Sequence, residues 1–286
     1  MATGLPPAVL AMAAACRLSG RPWKMRLSTS SIHFMELPIE QACEKIASLG
    51  YEAVDIWSAH DKCPHLDDVK DRLGAEGLRQ VLAKNNLKLS AFSVYKGGYE
   101  RYAGLLGEMG GGDAIRGSAH KRPPEELTRW MKAFFERIKP LVELAERNNS
   151  RLAIENHAGA LLNSPDSFKV FTDMNPSNRV GIALAPYHLQ SIGADVNEVI
   201  RICGRQLFFF YAWQNFPDSQ QLPGIGPTDM APWIRALAGA DYAGYVNPFM
   251  HGHPGTEVMY ANLEKSRTYL LECHGKAGCG RAKRDT

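Results

Sequence analysis

The sequence predicts an α/β fold, a (β/α)8 TIM barrel formed as a single domain over residues 25–272, and three observations carry that expectation. Short β-rich runs alternate with longer stretches whose apolar residues recur three and four apart, the texture of βα units. Eight such runs occur, enough to close a parallel barrel and remove its exposed edges. The turn after the first run, Ser30-Ser31-Ile32-His33-Phe34, has no glycine, whereas a doubly wound open sheet usually carries a glycine-rich turn there.

The β-rich runs are MRLSTSSI (25–32), EAVDIW (52–57), LKLSAFSV (87–94), DAIRGSA (113–119), RLAIEN (151–156), RVGIALA (179–185), QLFFFYAW (206–213) and YAGYVNP (242–248). Between them lie helices with readable faces. Pro38 opens one whose apolar side is Ile39, Ala42, Cys43, Ile46 and Leu49. Leu127, Trp130, Met131, Phe134, Ile138 and Leu141 form the longest stripe, which Pro140 should kink. Ser164-Pro165 reads as an N-cap followed by a first-turn proline, and Val196, Val199, Ile200 and Cys203 make a further stripe. Thr228 and Thr256 are expected to cap the last two helices. The segments 66–86 and 98–109 fill the second and third units less cleanly.

Composition narrows the function classes. With 45% hydrophobic, 22% charged and 9% aromatic residues in 286, the chain fits a globular protein and neither a disordered nor a fibrous one. Lys+Arg minus Asp+Glu is 33 − 30 = +3 and the basic residues are spread out, so nucleic acid is not expected as a partner. No apolar run approaches the roughly 20 residues that cross a bilayer, so no membrane partner is expected. Six cysteines without metal-ribbon spacing suit a reducing compartment, and a cytoplasmic location is the expectation. Residues 1–24 read as a disordered N-terminal extension. Leu5 to Cys16 resembles a short apolar leader core without the usual basic flank, and Met25 is an alternative start. Residues 273–286 read as a basic, frayed tail.

In a barrel of this kind chemistry gathers at the C-terminal ends of the strands. Those positions hold His33, then Trp57 and His60, Tyr95 and Lys96, Arg116 and Ser118, Glu155-Asn156-His157, Tyr187-His188, then Tyr211, Trp213 and Gln214, and finally Asn247, His251 and His253. Glu155 stands out, because a carboxylate closing the apolar run LAIE is costly without a metal ion, a partner such as Arg116, or a backbone donor. His188 could be a second ligand for Zn, Mn or Co, or a hydrogen-bonded wall residue. His157 is expected above the rim, with Asn156 pointing away. Trp57, Tyr95, Tyr211 and Trp213 could stack on a sugar ring or simply pack. Gly224-Ile225-Gly226 ahead of a helix is a candidate anion turn.

Four segments, SLGYEAVDIW (48–57), RLAIENHAG (151–159), VGIALAPYHL (180–189) and residues 222–250, together resemble the xylose-isomerase-like TIM barrels, the sugar-phosphate isomerases and epimerases. The resemblance spans nearly all of 25–272. It implies a divalent metal (Mn, Co, Zn or Mg) held by a Glu closing strand five, an Asp closing strand six, a His or Gln on strand seven and a Glu closing strand eight, the two glutamates exchanging a proton with a sugar carbon. Glu155 occupies the first position and His188 matches the histidine three residues after the Asp. The Asp position is Ala185, the strand-seven ligand falls on Tyr211 or Gln214, and the second glutamate is Asn247. Asn takes up no proton as a carboxylate does, so the two-glutamate mechanism is unavailable as written.

The expected function is therefore a sugar or polyol isomerase or epimerase, or a lyase, acting next to a carbonyl with an altered metal site. Glu155 and His188 would be catalytic. Glu155, His188 and Gln214 would be the metal set, and Trp57, His60, Lys96, Arg116, His157, Tyr211, Trp213, Asn247 and His251 would line the carbohydrate. The alternative is a non-catalytic or metal-free carbohydrate-binding barrel. The DNA-repair endonuclease branch of the superfamily fits badly, since it needs several more His and carboxylate ligands. A homo-oligomer is compatible with the sequence.

Overall fold

A computed structural model describes residues 23–58 and 62–277. Eight parallel strands form one sheet in sequence order: β1 (Ser28–Ser30), β2 (Ala53–Ser58), β3 (Lys88–Val94), β4 (Gly112–Gly117), β5 (Ser150–Glu155), β6 (Val180–Leu184), β7 (Leu207–Ala212) and β8 (Val246–Pro248). A parallel bridge between Leu27 and Val246 brings the ends together, and the Val246 N–H donates to the Arg26 carbonyl at 2.9 Å. The expected barrel is present, and each of the eight β-rich runs overlaps one of its strands.

A main helix follows each strand: α1 (Ile39–Ser48), α2 (Gly74–Lys84), α3 (Gly98–Glu108), α4 (Leu127–Arg147), α5 (Pro165–Met174), α6 (Val196–Cys203), α7 (Ala231–Gly239) and α8 (Thr256–Lys276). Their apolar stripes close over the outer face of the sheet, where Val54, Ile56, Phe92, Ala114, Leu152, Ile154, Ile182 and Phe210 point. A separate inner cluster, including Ala91, Ile115, Ala153, Ala183, Tyr211 and Phe249, fills the barrel. The period-two alternation of each strand thus sorts its side chains into two cores.

Local expectations were met unevenly. Ser164 caps α5 through a reciprocal box with Ser167, as its Ser-Pro start implies. Pro140 neither ends nor interrupts α4. It lies on the exposed side, where water can satisfy the carbonyl its missing N–H leaves open. Thr228 is not a cap: its N–H donates to Gln214 Oε1 at 2.8 Å, and Asp229 accepts from the Ala231 N–H instead. Thr256 sits inside the first turn of α8, with Gly255 at the cap. Two register shifts matter for the interior. Between β2 and β3 the pairing steps from Val54–Leu89 to Asp55–Ala91, and between β6 and β7 from Ile182–Leu207 to Ala183–Phe209. The second puts Phe208 as well as Phe209 in the inner cluster.

Candidate active site

Glu155 closes β5 on the same inner face as Ala153, so it points into the barrel mouth. Its Oε2 accepts a hydrogen bond from the Tyr95 hydroxyl at 2.7 Å. Arg116, the alternative partner expected from sequence, is not there: on β4 it is Ile115 that faces the interior, so Arg116 faces α3 and α4. Its Nε is buried without a hydrogen-bond partner, and burial lowers the guanidinium pKa. Burial also lifts the Glu155 carboxyl to about 7, with the Tyr95 bond pulling down and nearby Asp55 pushing up. Near neutral pH this carboxyl exists in both protonation states.

Asp55 is the residue that sequence reasoning missed. It sits fully buried on the inner face of β2, where Ser30 Oγ donates at 3.0 Å, Ser93 Oγ lies 2.9 Å from both carboxylate oxygens, and Trp57 Nε1 donates as well. Burial raises its pKa to about 7 despite those donors. The signal was present, since Asp inside EAVDIW is the same anomaly as Glu closing LAIE. Tyr211 connects the two carboxyls, its hydroxyl lying 3.5 Å from both Tyr95 Oη and Ser93 Oγ. Burial and the neighbouring carboxylates keep both phenols protonated.

His188 is buried beside β6 and β7. Its ring lies 4.2 Å from that of His157 and 5.2 Å from that of Trp213. Desolvation, then His157 and His251, lower its pKa to about 3, so it is a neutral imidazole. No hydrogen bond joins it to Glu155 among the described residues. His157 is exposed, as expected above the rim. Asn156 does point away, and there it clamps the neighbouring strand end. Its Oδ1 accepts from the Ala185 N–H at 2.7 Å and its Nδ2 donates to the Ala185 carbonyl at 3.1 Å. This pair of bonds fixes the β6 end, where an Asp ligand would stand. His33 is also buried and neutral. Its Nε2 accepts from the Met250 N–H at 3.4 Å, which puts the ring proton on Nδ1, 3.0 Å from Thr29 Oγ1.

The remaining candidates divide into wall and rim. Trp57, Tyr211 and Trp213 are buried and pack around Phe249, each with its ring centroid 5.1 Å away, so they are chiefly wall. Trp213 Nε1 donates to Gln221 at 2.8 Å. Tyr95 and Tyr187 are the partly exposed rings, Tyr187 stacking on Trp213 at 4.3 Å. His251 is exposed, its backbone held by Gln221 and its ring 4.8 Å from Trp213. Lys96 is exposed on the turn after β3. His60 lies outside the described residues.

Gln214 and Asn247 do not offer free donor atoms to the mouth. Gln214 is buried with Nε2 on the Leu222 carbonyl and Oε1 on the Thr228 N–H, both at 2.8 Å, so it pins the 222–228 turn. A Cβ on Gly226 would fall 2.0 Å from the Gln220 carbonyl, so this glycine serves close packing of the turn. Asn247 is buried with Oδ1 3.1 Å from Ser30 Oγ, whose proton Asp55 also claims, and Nδ2 donating to Ser28 at 3.0 Å. The expected metal set therefore fails as a shell. Glu155 and His188 answer to different neighbours, Gln214 is engaged, Ala185 carries no donor, and no group of three His, Cys, Asp or Glu among the described residues could hold a metal ion.

Comparison with known proteins agrees with this architecture. A 3-keto-D-glucoside 4-epimerase, YcjR, from E. coli is 16% identical over 86% of this chain and 100% of its own, with a TM-score of 0.66. A probable 3-DHS dehydratase, AsbF, from Bacillus anthracis is 15% identical over 85% and 99%, with a TM-score of 0.67. The IolI protein, solved with a bound zinc atom, is 15% identical over 88% and 99%, with a TM-score of 0.68. At such identities the likeness concerns the fold. No curated protein matches the sequence. The family model described as xylose isomerase-like TIM barrel matches residues 43–268, and the chain belongs to that family.

Proposed function

We propose that this chain moves a proton at a carbon next to a carbonyl in a small carbohydrate, with Glu155 as the base. The observation that carries the reading is a mouth-facing carboxyl poised near neutrality, hydrogen-bonded by Tyr95 and backed by a second buried carboxyl. Sugar epimerases and a dehydratase among the structural neighbours fit such chemistry. One mouth-facing carboxylate suits reactions in which a single base takes a proton and returns it on the same face, as in aldose–ketose isomerisation, or one that ends in β-elimination. Inversion at carbon needs a group on the opposite face, and Asn247 and the buried Asp55 supply none there. Ionised Glu155 takes the proton, and the Tyr95 phenol, which donates to the carboxylate beforehand, can turn its proton to the enolate oxygen once Glu155 is protonated. Neutral His188 and the partly exposed rings of Tyr95 and Tyr187 are assigned to hydroxyl contacts and to the apolar face of the sugar.

The test is turnover, with chelator-dialysed protein and again with added Mn or Co, on a panel of aldoses, ketoses and 3-keto sugars. Solvent-deuterium incorporation at the carbon is read alongside. Glu155→Gln should cost about 10²- to 10⁴-fold, the usual worth of a positioned base. A variant as fast as the parent, or no substrate turned over, would end the proposal. A second reading is favoured by Ala185 and Asn247, a barrel that binds a carbohydrate without acting on it. Saturable thermal stabilisation by sugars with no exchange would select it.

A further inference from the structure

A cavity of about 730 Å³ lies not at the mouth but at the opposite end of the barrel, around the N-terminal ends of β5, β6 and β7. Its volume lies in the range of small-molecule sites. Three arginines line it, Arg151, Arg179 and Arg205, and no carboxylate does. The frame is rigid. Asn175 Nδ2 donates to Gln206 Oε1 at 2.7 Å and to the Val180 carbonyl at 2.8 Å, and Gln206 Nε2 donates to the Thr172 carbonyl at 3.0 Å. Phe208 is part of the cavity wall. A Cβ on Gly181 would fall 2.5 Å from its ring, so only glycine admits it.

Arg151 lies on that ring, 4.1 Å from its centroid, with Nε and one terminal nitrogen on Asp113 at 2.7 and 2.9 Å. Two of its five N–H groups are thereby used and the rest are held in a fixed plane. Arg179 has only long contacts, at 3.4 Å to Asn149 Oδ1 and 3.5 Å to the Ser150 carbonyl. Neither Arg179 nor Arg205 forms an ion pair among the described residues. Three guanidinium charges against one carboxylate leave two positive charges uncompensated in one concave pocket.

We infer that this end of the barrel is a binding site for a small dianion, with a phosphate group as the chemistry that guanidinium forks fit best. Arg151 supplies the fixed donors, and Arg179 and Arg205 close on the ligand from the flanking loops. The site is separate from the mouth and does not depend on the reaction proposed there.

The experiment is a thermal-shift titration with inorganic phosphate, chloride being the control at matched ionic strength and succinate the dicarboxylate arm. Phosphate should raise the melting temperature saturably, and more than succinate does. The double variant Arg179→Gln/Arg205→Gln should keep the parent melting temperature in chloride and weaken phosphate binding at least tenfold. Glu155→Gln should leave phosphate binding unchanged. If the double variant does not fold, phosphorus NMR line broadening with Arg205→Gln alone gives the same reading. A purely ionic-strength response, equal binding in the double variant, or loss of binding in Glu155→Gln would overturn the inference. Stronger binding of succinate would overturn the phosphate assignment.

Discussion

Arg151 and Glu155 lie on the same inner face of one strand, about 13 Å apart at the usual rise per residue, yet the two ends of the barrel treat charge in opposite ways. At the mouth, burial takes charge away: Asp55 and Glu155 are lifted toward neutrality and His33 and His188 are held unprotonated. At the other end Arg151 is half in solvent and forked by Asp113. The difference teaches where each kind of chemistry can sit. A desolvated, uncharged polar cluster can exchange protons near neutral pH, whereas a partly solvated array of guanidiniums can only attract and hold.

Breaking the charged end should show the largest stability effect. Arg151→Met leaves Asp113 buried without its partner and should cost about 3 kcal/mol, the low end for such a pair because Arg151 keeps 42% of its side chain exposed. The midpoint of urea denaturation measures it. At the mouth, Gln214→Ala removes two backbone hydrogen bonds from a buried turn and should cost about 2 kcal/mol. Were Gln214 instead a metal ligand, the variant would lose metal-dependent stabilisation and little else.

The pH dependence sharpens the same contrast. Asp55 and Glu155, raised to about 7, are favoured on folding while protonated. Their contribution is full below their ordinary values near 4 and is lost as pH rises through 7. His33 and His188, lowered from 6.5 to about 3, act in reverse, their contribution being lost as pH falls from 6.5 toward 3. Between about pH 4.5 and 6.5 the folded chain holds two extra protons at the carboxyls and the unfolded chain two at the imidazoles, so the four groups nearly cancel. Asp55→Asn removes one of the two carboxyl protons from that balance. Its stability should fall by about 1.4 kcal/mol per pH unit on acidification across the window, relative to the parent, in denaturant titrations at several pH values. A variant with the parent's slope would mean that Asp55 is ionised throughout.

The barrel was legible because strand and helix periods differ and each βα unit repeats the contrast. Glu155 was legible because a carboxylate closing LAIE breaks an apolar run. What resisted reading was direction. Arg116 and Ile115 are adjacent in DAIRGSA, and only the register of β4 decides that the isoleucine faces inward. Asp55 was passed over because it lies inside its strand and not at the end where chemistry was sought. Gln214 and Asn247 have the right residue types near the right strand ends, but amides satisfy backbone and hydroxyl groups as readily as ligands, and sequence holds no record of which partner was nearer.

The central claim is that Glu155 is a mouth-facing carboxyl kept close to neutrality by its surroundings. Infrared difference titration of the parent against Glu155→Gln isolates the protonated carboxyl band. The account predicts a band that disappears as pH rises through about 7, coupled to Asp55. A Glu155 already fully ionised at about pH 5, the behaviour of an ordinary solvated carboxyl, would contradict it.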